Sequence, residues 1–356
     1  MQDYPWIKDQ KAAMISVFLM AILAGAGMVQ PLVAGIGVLA LPLIGVMAWP
    51  MAGLASAFLG IALPQICLAN LSAPLGLHLS AGGYAFALVG VSLWAFGKGP
   101  DFKKVLLAHW AAMALGVCLL LMGLRTVVGE NLFTGCAQWV VDVISASANG
   151  DQILWRAYQS GLATAPGNMI VMPQASAYLQ SYGLAGLSPL MTPALRHELA
   201  ASLRTSLEQY LYAQGAGAIV AFIAGGGLLG VCWPACRMKR RGVKSPLVMP
   251  AFEKWHLPRG MGSGSAVLLL GYVIQLFASS YLELYWGGLL ISAFQWIYMI
   301  QGAAYWEFAQ KRMGGSIASR RVFVVMVGLF VPFLLVALGI LDQQTDKREL
   351  REKQED

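Results

Sequence analysis

The chain has 356 residues, 58% of them hydrophobic and only 12% charged, and its mean hydropathy is +0.64. Soluble domains carry about 25% charged residues, so the composition excludes an ordinary soluble enzyme and predicts an all-α polytopic integral membrane protein. The net charge of +7 needs no nucleic acid to explain it, because basic residues collect on the cytoplasmic flanks of membrane helices.

Apolar runs predict about nine transmembrane helices, or eight if one segment is re-entrant. Five fall in an N-terminal membrane half, 1–125, at 12–29, 32–49, 51–68, 81–97 and 105–124. The stretch 126–212 is balanced in charge and is expected to be one helical extracytoplasmic segment. It holds an amphipathic helix over 131–148 and a second helix opening at Thr192-Pro193, with leucines at every fourth position from Leu195 to Leu211. The C-terminal membrane half, 213–341, contributes spans at 216–233, 265–284, 286–306 and 322–341, with Gly215 and Gly217 inviting a kink before the first. A charged tail, 342–356, follows.

Placing the N-terminus in the cytoplasm puts Lys8, Lys11, Lys98, Lys103, Lys104, the basic loop 236–264, Lys311, Arg312, Arg320 and Arg321 on the inner side. That is sixteen of the 24 Lys and Arg. The bias predicts a multi-pass protein of a bacterial inner membrane with the lipid bilayer as its first partner. The loop carries Arg237, Lys239, Arg240 and Arg241 in its first half, an anchor or a partner surface, and Phe252 and Trp255 in its second. Topology does not need those two aromatics, which predict an ordered entry into the seventh span.

Gly225-Gly-Gly-Leu-Leu-Gly230 matches G-x-G-x-x-G, but the glycines sit inside an apolar run with no preceding strand. Close helix packing is the expected role. Ala21-x-x-x-Gly25 and Ser56-x-x-x-Gly60 place small residues one turn apart, for internal packing or for a transmembrane partner subunit. Uncompensated polar groups are costly in hydrocarbon. Gln65, Asn70, Gln275, Glu283, Gln295, Tyr298 and Gln301 are therefore the candidate ligand-binding residues, in an outward pocket among spans three, seven and eight, unless they satisfy one another. The five cysteines and four scattered histidines form no metal-ligand or redox spacing. No hydrolase elbow or phosphate loop occurs, so no enzyme, cofactor or metal is expected.

Pro250-Ala-Phe252-x-x-Trp255-x-Leu-Pro258 before a span, Gln301-Gly302 late in the next, and Gly339-Ile-Leu-Asp342 followed by Arg348 resemble the YybS-like family of bacterial membrane proteins. That resemblance covers most of the chain. It implies a helical core like the substrate-binding membrane subunits of energy-coupling-factor transporters, and the Ala21/Gly25 pair is similar to the motif those subunits offer a membrane partner. Small-molecule binding or transport is the function the resemblance implies. A membrane scaffold recruiting partners through the basic loop is the alternative.

Overall fold

The computed structural model describes residues 10–29, 31–98, 101–129, 131–169, 191–240, 242, 247–257, 262–345 and 348, and among them there are helices and no strands. The chain divides into two compact units, Met1–Val127 with Ala216–Asp356, and Val128–Gly215. The two membrane halves of the sequence reading thus belong to one unit.

The first unit contains α1 (Gln10–Val29), α2 (Pro31–Ala52), α3 (Leu54–Asn70), α4 (Leu75–Lys98) and α5 (Phe102–Val128). It continues with the second half of α8 (Pro193–Arg240), then α9 (Gly264–Phe277), α10 (Tyr281–Arg312), α11 (Ile317–Phe330) and α12 (Pro332–Thr345). Among the described residues, four helices are long and apolar enough to cross a membrane: α2 over Val33–Pro50, α4, α5 and α8. The number is five if α11 and α12 count as one bent span. That is fewer than the nine expected. The segments predicted as spans one, three and seven form shorter apolar helices, and α10, where span eight was expected, is long but diluted by Gln295, Gln301 and Glu307.

Glycines set the closest helix approaches. On α2 and α3, Gly45 and Gly60 face each other, so that a β-carbon on Gly45 would lie 3.0 Å from the Gly60 Cα. This is the internal use of the Ser56/Gly60 pair. On α8, Gly226 meets Met113, Gly227 meets Trp110 and Gly230 meets His109, all three from α5. The G-x-G-x-x-G pattern is a packing surface. Polar groups in this core are bonded across helices: Trp49 Nε1 donates to Ser92 Oγ at 2.6 Å and the Tyr84 hydroxyl donates to the Leu39 carbonyl at 2.9 Å. By contrast, Ala21 and Gly25 are exposed, and nothing lies within 4 Å of a β-carbon built on Gly25.

The segment predicted as a ninth span is two helices, α11 and α12, bent by 112° at Val331. Pro332 supplies no backbone N–H and disfavours helical geometry in the residue before it, and Val331 lies at φ −140°, ψ 55°. Each helix has 14 residues, about 21 Å at 1.5 Å per residue, short of the ~30 Å hydrocarbon core. Lys311, at the end of α10, and Arg348, beyond α12, both bond Glu253. The residues flanking the bent pair, Lys311 and Arg348, thus meet at one residue of the loop.

The second unit is built from α6 (Leu132–Ala146), α7 (Gly150–Gln159) and the first half of α8. Leu195, Leu199 and Leu203 are buried against Val141, Leu154 and Ala157; fully burying a leucine contributes about 1.5–3 kcal/mol. Thr192 Oγ1 caps α8 by accepting from Leu195 N at 3.2 Å. Helix α7 begins at Gly150, and α8 runs without a break past Gly215 and Gly217. Burial also pushes the Cys136 thiol up from its ordinary value.

Candidate functional site

The seven polar residues singled out from sequence do not form one pocket. Helix α3 packs on α1, α2 and α4, whereas α9 packs on α10. Gln65 is bonded to His78 through both amide atoms, at 2.8 and 3.2 Å, and Asn70 donates to the Met28 carbonyl at 2.8 Å. Gln275 Nε2 donates to the Leu284 carbonyl at 3.4 Å, and Gln295 Nε2 donates to the Tyr272 hydroxyl at 2.7 Å. Glu283 completes a capping box with Ser280 at the start of α10, and Tyr298 is buried. The amides are satisfied locally, and none of the seven lines either cavity described below.

Gln301 is different. Its Oε1 accepts from Leu257 N at 3.0 Å and its Nε2 donates to Asp342 Oδ2. Asp342 is also gripped by Arg348, with Nε donating to Oδ1 at 3.0 Å and Nη2 to Oδ2 at 2.5 Å. Both side chains are almost wholly buried, at 3% and 0% exposure. Arg348 Nη1 reaches the Glu253 carbonyl at 2.8 Å, and Lys311 pairs with the Glu253 carboxylate at 2.5 Å. A buried pair of this kind stands only where its remaining hydrogen-bonding positions are filled, and here Gln301 and the Glu253 carbonyl fill them.

The stretch 249–257 is the lid of this cluster. It makes one 3₁₀ turn, Phe252–Lys254. Trp255 Nε1 donates to the Pro250 carbonyl at 3.2 Å, and its ring lies 5.2 Å from Phe252 and 5.0 Å from Phe102 at the start of α5. The basic half of the loop is partly helical, because α8 extends to Arg240. Arg237 lies 5.8 Å from the Trp233 ring centroid, and Lys239 and Arg240 are exposed. Arg241 and Pro258 lie outside the described residues.

Beside the lid is a cavity of about 560 Å³. Its walls come from α8 (Cys232, Cys236), the lid (Met249, Phe252, Trp255), α10 (Met299, Ala303, Glu307) and the α11–α12 hairpin (Arg321, Leu335). The lining is apolar apart from Glu307 and Arg321. Glu307 is paired with Arg320 at 3.2 Å, both partners largely buried, and Arg320 Nε also donates to the Ser316 carbonyl at 3.4 Å. Sequence reasoning passed over Glu307 and read Arg320 and Arg321 only as topological charge. The signal was an acid at the end of an apolar helix, followed across a Gly314-Gly315 turn by two arginines.

A second cavity, about 760 Å³, lies in the 128–215 unit beside Gln138, Asp142, Arg196, His197 and Arg204. Within that rim Gln138 bonds Asp142, Arg204 bonds Gln138, and Arg196 pairs with Asp151. No group of metal-ligating residues occurs among the described residues. The chain matches no family model, no curated protein and no solved structure.

Proposed function

We propose that the chain is a multi-pass protein of a bacterial inner membrane that binds a small apolar molecule without transforming it. The carrying observation is the 560 Å³ cavity, a volume within the ~300–1,000 Å³ of small-molecule sites. Lined by apolar side chains and two methionines, it suits a hydrophobic guest. We read the bent pair α11 and α12 as re-entrant, the eight-span alternative of the sequence, with the C-terminus on the cytoplasmic side beside the basic loop and the N-terminus; the 112° bend supports that reading. Convergence of Phe252, Trp255, Gln301, Asp342 and Arg348 supports membership of the YybS-like family, since these separate motif residues have a common structural reason to occur together. A substrate-binding role of the kind found in energy-coupling-factor transporters follows from that membership, with the exposed Ala21/Gly25 face offered to a membrane partner subunit. A thermal-shift screen of purified protein against apolar metabolites tests the reading. Ligands should stabilise the protein and lose their effect in Ala303→Phe, which fills the cavity; no stabilising ligand would sink it.

The exposed Lys239 and Arg240 at the end of α8 favour a second reading, a scaffold for cytoplasmic partners. Neutralising Arg237, Lys239 and Arg240 should then abolish partner capture while topology stays intact.

A further inference from the structure

We propose that the guest of the cavity is a single-chain amphiphile with an anionic head, its tail among Cys232, Met249, Trp255 and Met299 and its head at Arg321. This deepens the binding reading above and rests on it. Around the cavity every carboxylate already has its cation: Glu307 has Arg320, Glu253 has Lys311, and Asp342 has Arg348. Arg321 lines the same cavity, is exposed, and has no acidic partner among the described residues. An apolar cavity with one surplus guanidinium at its edge is complementary to a hydrocarbon chain ending in a carboxylate or phosphate, because guanidinium binds both through paired N–H donors. A cationic or zwitterionic head would find no free anion there, and a neutral guest would leave Arg321 without a counter-charge.

The probe is a dibrominated fatty acid added to the purified protein in detergent, read by quenching of tryptophan fluorescence. Trp255 lines the cavity, so the saturable part of the quenching should vanish in Trp255→Phe. Arg321→Gln should weaken binding about tenfold while Arg321→Lys largely keeps it, and the methyl ester of the same acid should bind about tenfold more weakly than the acid. If the ester binds as tightly as the acid and Arg321→Gln changes nothing, the anionic head is wrong and the apolar cavity still stands. If neither compound gives saturable quenching, the cavity reading itself falls.

Discussion

Gly302 on α10 and Gly339 on α12 bring two helix backbones into direct contact. A β-carbon on Gly302 would overlap the Leu335 carbonyl, and one on Gly339 would overlap the Tyr298 carbonyl. This contact holds the α11–α12 hairpin against α10, and with it one wall of the cavity. Because the obstructing atoms are backbone, a side chain cannot swing away to make room. Gly302→Ala and Gly339→Ala should each destabilise the protein by on the order of 3 kcal/mol, at the upper end for overpacking. Thermal unfolding in detergent would measure this, with Gly25→Ala, which meets nothing within 4 Å, as a near-neutral control. Equal effects at all three positions would count against the close approach.

The Asp342–Arg348 pair should behave as a buried pair and not as a surface one. Replacing Arg348 by Met leaves a buried carboxylate held only by Gln301, and replacing Asp342 by Leu strands the guanidinium. Each should cost about 3–5 kcal/mol, and the double replacement distinctly less than the sum. A denaturant-based double-mutant cycle gives the coupling. Additive single effects would show that the two groups do not depend on each other.

The hairpin makes a topological prediction. Cysteines placed at Ser316, before α11, and at Thr345, at the end of α12, should react with an impermeant maleimide from one and the same membrane face in a background lacking the native cysteines. Gly242→Cys, in the basic loop, should label from that face too. Labelling of positions 316 and 345 from opposite faces would restore a ninth crossing.

Cys136 offers a pH test outside the membrane helices. Burial raises its thiol pKa, which shrinks the thiolate fraction at neutral pH, and the thiolate is the reacting species. Its modification rate should be low near pH 7 and keep rising about tenfold per pH unit past the ordinary thiol range. A plateau below that range would contradict the burial assigned to it.

Helix content was legible because apolar runs and charge balance report burial directly. The leucine ladder from Leu195 also predicted its packing face, since a four-residue repeat fixes one side of a helix. The 112° bend at Val331-Pro332 was not legible. Hydropathy runs unbroken from Val322 to Leu341, and proline inside a long apolar stretch is compatible with a spanning helix. The contacts that accompany the bend are long-range: Lys311 and Arg348 meet at Glu253, residues 58 and 95 positions away from it. The intramembrane amides misled for a related reason. Their cost in hydrocarbon is real, but local partners such as His78 for Gln65 and Tyr272 for Gln295 meet it without a ligand. Only Gln301 joined the cluster beside the cavity, and its partner Asp342 lies 41 positions on.

Gly227 tests the remaining motif. Its hydrogen faces the Trp110 ring, which is fixed by Nε1 donating to the Ala224 carbonyl at 3.2 Å. A methyl group there would overlap Trp110 Cδ1, so Gly227→Ala should destabilise by about 1–3 kcal/mol. Trp110 is a side chain and can be shortened. Gly227→Ala with Trp110→Leu should therefore be more stable than the two single losses added together, because the leucine vacates the space that the methyl needs. A dinucleotide site would behave otherwise: Trp110→Leu would not offset Gly227→Ala, and NADH would raise the unfolding temperature of the unaltered protein. Thermal unfolding of the four combinations, with and without NADH, separates the outcomes. Packing predicts rescue by the leucine and no response to the nucleotide.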